Sequence, residues 1–287
     1  MAKLIDDIRA GAKLLYSARY MPDQVQWEGY RIGLKQHLEE HQPVPVLLIE
    51  NVAKYAAIHY KLEEKISLPN VAPPYPAFWS EFRAAGIHQN PACRRVGVYA
   101  VAGERKDPSI KARWAINCHL FSEVAEGIYG PIGPLAVLVG EDGELLKGYP
   151  RPPLTERMDL VEVVMSDVVP TLVALNFLHC KNVTLEDHSM PPPLAKKYQA
   201  RTGIRPVRYK TLVIEPLKQI LKREGGIAEA GLIRALHNVR GHFAVYREEK
   251  PLFGKLHGQF FIPQHLRGVR QPDQQEKPPR TIDIKGV

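Results

Sequence analysis

Apolar positions recur at helical spacing twice near the amino terminus, first as Leu4, Ile5, Ile8, Ala12 and Leu15 and again as Val52, Tyr55, Ala56, Ile58, His59 and Leu62. Met21-Pro22-Asp23 reads as a turn with a helix start at Asp23, and Pro43-Val44-Pro45 stops a helix. Val46–Ile49 either begins the next element or forms a short strand. The pattern predicts a helical amino-terminal part over residues 1–68.

Pro69, Pro73, Pro74 and Pro76 then impose an extended linker. Beyond it the period changes to two. Phe78–Arg83, Arg95–Val101, Arg113–Phe121 and Pro134–Val139 read as strands. The Asp142-Gly143 pair predicts a tight turn that returns the chain through Leu145-Leu146. Thr155 is a candidate N-cap for a helix carrying Leu160, Val163, Val164, Val168, Leu172 and Leu175 on one side. That helix is expected to run to about Cys180 and to cross the sheet, with a kink or break at Pro170. Residues 69–190 are thus expected to form an antiparallel sheet plus helix core.

Pro191-Pro192-Pro193 ends that region, Leu194–Arg208 is a basic segment, and Thr211–Ile214 reads as a strand. Leu217–Arg223 is a short basic helix or turn closed by Gly225-Gly226. Two alternating runs, Gly241–Tyr246 and Gly258–Ile262, flank a loop containing Pro251-Leu252-Phe253-Gly254 and predict a hairpin. Residues 191–268 therefore comprise a basic segment and a hairpin, and 269–287 are a polar, proline-rich tail expected to be mobile. The fold class expected is α+β. It consists of a helical amino-terminal part, a central antiparallel sheet of four to five strands crossed by a long helix, and a basic carboxy-terminal hairpin, all in one composite domain.

Composition narrows the class without naming an activity. The 287 residues are 45% hydrophobic and 24% charged, an ordinary globular balance. No apolar run approaches the roughly 18 residues of a membrane span, and Met1–Asp7 lacks a signal-peptide apolar stretch. A cytoplasmic protein without a membrane partner is the expectation. Cys93, Cys118 and Cys180 include no CxxC pair, which argues against a disulfide framework or a cysteine zinc site. The net charge of +8 is unevenly spread. Residues 196–287 carry 19 Lys and Arg against 8 Asp and Glu, a net +11, while residues 1–195 carry 20 against 23, a net −3.

The densest candidate chemistry lies in that basic end, where His237, Arg240, His242 and Tyr246 are followed by His257, His265 and Arg267. On a strand, Arg240, His242 and Tyr246 share one face, as do His257, Phe261 and His265 on the return, and the register decides whether the two sets meet. Metal-free RNA cleavage would use His242 as acid or base, Arg240 and Arg267 on phosphate, with Tyr246 and His257 beside them. A histidine zinc site has no recognised ligand spacing here, and a structural role pins the hairpin instead. No metal or cofactor is expected. Glu81 beside Trp79 is a candidate acid, whereas Glu186-Asp187-His188 and Glu248-Glu249 read as solvated loop charges. P-loop, Rossmann, GxSxG and HExxH signatures are absent.

Lys196, Lys197, Arg201, Arg205, Arg208, Tyr209 and Lys210 interleave charge with aromatic rings, a pattern suited to phosphate contact and base stacking. Three readings follow: nucleic-acid binding with RNA favoured, a metal-independent ribonuclease, or an interaction module for an acidic protein. The blocks Pro74–Glu81, Leu194–Tyr209 and Arg240-Gly241-His242-Phe243…Pro251-Leu252-Phe253-Gly254…His257-Gly258…Arg267-Gly268 together resemble a family of uncharacterised proteins of bacteriophages, prophages and plasmids. The resemblance implies a mobile-element origin and carries over no catalytic residue.

Overall fold

The computed structural model describes residues 3–10, 14–15, 44–60, 66–84, 91–105, 111–125, 127–150, 158–214, 237–239, 241–263 and 265–267. The predicted turn at Met21, the cap at Thr155, the basic helix 217–223 and the tail 269–287 lie outside the described residues. The chain divides into two units, one of Met1–Asn176 with Glu186–Leu212 and one of Phe177–Leu185 with Val213–Val287.

The elements in order are α1 (Leu4–Arg9), β1 (Leu14–Leu15), β2 (Val46–Leu48), α2 (Glu50–His59), β3 (Ala77–Arg83), β4 (Arg95–Glu104), β5 (Trp114–Val124), β6 (Gly127–Val139), β7 (Leu145–Pro150), α3 (Met158–Leu178), β8 (Val183–His188), α4 (Pro192–Thr202) and β9 (Tyr209–Ile214). Short strands β10 (His237–Val239), β11 (His242–Tyr246), β12 (Gly258–Ile262) and β13 (His265–Arg267) follow.

The expected small antiparallel sheet crossed by a long helix does not hold. The structure has a nine-stranded mixed sheet in the order β1-β6-β5-β4-β3-β2-β9-β8, with β7 also paired to β6. Strands β3 to β7 pair antiparallel in succession, but β2 pairs parallel to both β3 and β9, and β1 parallel to β6. The amino-terminal part, expected to be helical, carries α1 and α2 but also supplies β1 and β2 to the sheet. Of the two alternatives at Val46–Ile49 the short strand holds, because a wholly apolar run suits a parallel strand buried on both faces. The thirteen-residue β6 is long enough to hold β1 at Ile128–Tyr129 and β7 at Leu135–Val139 along its length.

Strand β3 and the first half of β4 are buried on both faces because helices cover both. On one side Ser80 Oγ meets Thr171 Oγ1 of α3 at 2.7 Å. Helix α3 runs as one element through Pro170 and buries Val164, Val168, Leu172 and Leu175. On the other side Leu4 and Ile5 of α1 pack into a cluster with Val46, Ala77, Trp79, Tyr99 and Phe121.

Candidate nucleic-acid interface

Helix α4 has local reasons for its limits. Pro192 supplies a first-turn residue with no hydrogen to satisfy, and Gly203 closes the helix in a left-handed conformation, φ 75°, its N–H donating to Gln199 O at 2.8 Å. Tyr198 is the buried anchor, which leaves Lys196, Lys197 and Arg201 exposed on the remaining surface. Lys197 and Arg201, four residues apart, share a face, and the Arg201 guanidinium lies 5.6 Å from the Tyr198 ring centroid.

The segment after Gly203 is fixed by α1. Val207 N–H donates to Asp6 Oδ1 at 2.9 Å, and Arg9 Nη1 donates to Arg205 O at 3.4 Å. Val207 and Tyr209 pack toward the α1 cluster, so Arg205 and Arg208 face solvent. Tyr209 and Lys210, the last two sequence candidates, are already engaged. The Tyr209 ring has Lys3 Nζ 4.1 Å from its centroid and stacks with His188 at 5.4 Å. Lys210 Nζ donates to Asp187 Oδ1 at 2.7 Å and, through that bond, lowers the carboxyl pKa of Asp187. His188 Nε2 also lies 2.8 Å from Thr211 Oγ1. Five cations therefore remain displayed, and among the described residues Lys196, Lys197, Arg201, Arg205 and Arg208 form no ion pair. His188–Ile214 holds six Lys and Arg and no Asp or Glu.

Helix α1 is itself held by a buried polar cluster. Leu4 N–H donates to both Glu81 oxygens at 2.9 and 2.8 Å, and Trp79 Nε1 donates to Glu81 Oε2 at 3.1 Å. Trp79 and Glu81 are two apart on β3 and so share a face. Burial raises the Glu81 carboxyl pKa, opposed by Leu4 N–H and by Arg95. Arg95 is the common cation of the cluster, its Nη2 reaching Asp7 Oδ2 at 2.7 Å and Glu123 Oε1 at 2.9 Å. The bond to Arg95 lowers the Glu123 pKa. Burial raises the pKa of Asp6, whose Oδ2 also accepts from Lys3 N at 3.3 Å. Glu81 is thus an internal acceptor for the helix rather than an acid open to substrate. Asp6 was not among the sequence candidates, and its only signal was a carboxylate beside apolar Leu4 and Ile5.

In the second unit β11 and β12 pair with His242 opposite Ile262 and Tyr246 opposite Gly258. The pair β10 and β13 continues the same register, with His237 opposite Arg267 and Val239 opposite His265. Across β11 and β12, His242 and Tyr246 share a face with Phe260 and Ile262, and Phe243 shares the other with Phe261. Tyr246 packs with Ala244, Phe260 and Ile262 against Leu252 and Leu256 of the loop. Phe243 and Phe261 lie instead against Phe177, with centroids 4.8 and 4.7 Å from it. His242 and His257 are exposed, and Arg240 lies outside the described residues. Asn182 fastens β12 by donating from Nδ2 to Phe261 O at 2.7 Å and accepting at Oδ1 from Phe261 N at 2.9 Å.

Among the described residues no three His, Cys, Asp or Glu side chains group to hold a metal ion, and no helix is long and apolar enough to cross a membrane. Compared with family models, with curated proteins and with solved structures, the chain matches none.

Proposed function

We propose that the protein binds RNA through the exposed cations of α4 and of the segment that follows it. The observation that carries this reading is the acid-free stretch His188–Ile214, five of whose cations face solvent without an ion-pair partner among the described residues. Exposed cations outside any ion pair attract phosphate, an attraction that Asp187 near Arg208 offsets in part, and releasing the counterions condensed on a nucleic acid drives the association. Anchoring by Tyr198, Gly203 and Asp6 adds to this, since cations on an ordered backbone lose less entropy on binding than cations on a free tail.

Fluorescence anisotropy with a labelled single-stranded RNA across a salt series tests it. Five phosphate contacts at about 0.7 log units each predict a log–log salt slope near −3.5, or roughly a 100-fold loss of affinity from about 50 to 200 mM salt. Replacing Lys196, Lys197 and Arg201 with Ala should flatten the slope by about 2. Absence of binding, salt-insensitive binding, or an unchanged slope in the triple variant overturns the reading. Preference for an acidic polypeptide over RNA overturns it in favour of a protein partner.

A further inference from the structure

The loop joining β11 to β12 contains the one non-glycine residue with positive φ among those described, Phe253 at φ 54°, followed by Gly254 at φ 73°. A left-handed conformation is uncommon for any side chain and an outlier for a bulky aromatic one. The surrounding backbone enforces it. Leu252 and Leu256 exchange hydrogen bonds, N–H to O, at 2.6 and 3.0 Å, while Gly254 N–H donates to Pro251 O at 3.2 Å and Lys255 N–H to Leu252 O at 3.1 Å. Leu252 and Leu256 anchor the loop by burying themselves on Phe260 and Ile262. The aromatic residue between them points outward and is 48% exposed. Among the described residues its ring stacks on no other. The fold thus holds Phe253 in an unfavourable conformation without returning the cost as burial, and a glycine would fit there more easily.

We propose that Phe253 is a stacking platform for an unpaired nucleobase. The inference rests on the RNA-binding reading above and gives the second unit a base-contacting element of its own. The ring offers the flat face that stacking needs, and exposed Arg247 and Lys250 lie in the same loop, where they can meet phosphate. Glu248 and Glu249 sit in the same turn, so the tip carries only a small positive excess and steers a strand weakly by charge alone. Base contact, rather than phosphate attraction, is the contribution this loop is built to make.

The test compares single-stranded oligoadenylate with inorganic polyphosphate, a polyanion that has no bases. Phe253→Ala should weaken oligoadenylate binding roughly 5- to 150-fold, the range of one base–aromatic stack. It should leave polyphosphate binding and the salt slope unchanged. Phe253→Gly removes the left-handed strain and should fold at least as well as wild type while showing the same loss, which separates lost stacking from lost structure. Phe253→Trp should retain affinity, and its emission should be quenched by oligoadenylate and not by polyphosphate. If Phe253→Ala binds oligoadenylate as wild type does while the α4 variant loses it, the platform is refuted and the RNA reading stands. If wild type binds no RNA, both are refuted. If the Phe253→Trp emission ignores oligoadenylate, the platform is refuted alone.

Discussion

Replacing Glu81 with Ala should markedly destabilise the sheet unit. Glu81 accepts from Leu4 N–H and from Trp79 Nε1, both enclosed where water cannot replace the acceptor. Each orphaned donor costs about 1–3 kcal/mol, and the lost methylene adds about 0.8 kcal/mol. Relief of the desolvation that the buried carboxyl bears offsets part of this, leaving a net loss of about 2–4 kcal/mol. Arg95 keeps Glu123 and Asp7 as partners, so no cation is stranded and the loss should not exceed that range. Urea unfolding followed by tryptophan emission reports the change, because Trp79 is fully buried beside the mutated carboxyl. Hydrogen exchange at Leu4 should rise in parallel as the acceptor disappears. A change below about 0.5 kcal/mol, the ordinary range of surface substitutions, would refute the account of Glu81 as the anchor of α1.

The conservative change Glu81→Gln adds a sign to the same prediction. Burial raises the Glu81 pKa, so the folded state holds this proton more tightly than the unfolded chain does. The resulting stabilisation is complete below the unfolded value of about 4.3 and drains away as pH rises through the folded value. An amide has no such proton. The deficit of Glu81→Gln relative to wild type should therefore be larger at acid pH and shrink as pH rises. Glu123, lowered by Arg95, runs the other way, contributing above about 4.3 and losing its contribution as pH falls through its folded value. It is common to both proteins and cancels in the difference.

Gly97→Ala should destabilise by about 1–3 kcal/mol, because a Cβ there would lie 2.8 Å from Trp79 Cη2 and closer still to Cζ2. Near-UV circular dichroism and a urea titration check this, and an unchanged pair of curves would contradict the packing. Cys93, Cys118 and Cys180 are buried, and burial pushes each thiol up to about 12. At pH 8 only ~1 in 10,000 of each is thiolate, so the folded protein should resist iodoacetamide and take up three labels only when denatured. Rapid labelling of the folded protein would refute that.

Strand β5 was legible from its alternation of Ile116, Cys118 and Leu120 with Asn117 and His119, and β3 and β4 from their aromatic and β-branched residues. The Gly241–Tyr246 and Gly258–Ile262 runs were legible for the same reason. Strand β2 was legible only as one of two alternatives at Val46–Ile49, since three consecutive apolar residues have no period and parallel pairing leaves no local turn to mark it. The full extent of β6 was hidden by Gly127, Gly130, Pro131, Gly133 and Pro134, residues that ordinarily punctuate loops. The basic segment was visible as charge, but which cations are displayed depended on partners distant in sequence. Lys210 is taken by Asp187, and the Tyr209 ring by Lys3 and His188, while Arg205 and Arg208 remain outward. For the hairpin histidines the missing quantity was register, and a shift by one residue would have moved His242 to the other face.

Helix α1 explains why a six-residue element matters to a surface more than 190 positions away in sequence. So short a helix is unstable by itself, since nucleation costs more than so few internal hydrogen bonds return. It persists because Glu81 takes its first amide and because Leu4 and Ile5 fill the space above Trp79, Tyr99 and Phe121. Once seated, it presents Asp6 to Val207 N–H and Arg9 to Arg205 O, which sets the path of the chain between Gly203 and Tyr209. The path of the chain at Arg205 and Arg208 is therefore set from the sheet through two carboxylates: Glu81 of β3 holds α1 at Leu4, and α1 through Asp6 holds the basic segment. A surface meant only to be soluble would not need its cations so placed. Both carboxylates bear a burial cost that raises their pKa, and the return on that cost is order in a segment whose Arg205 and Arg208 side chains stay exposed.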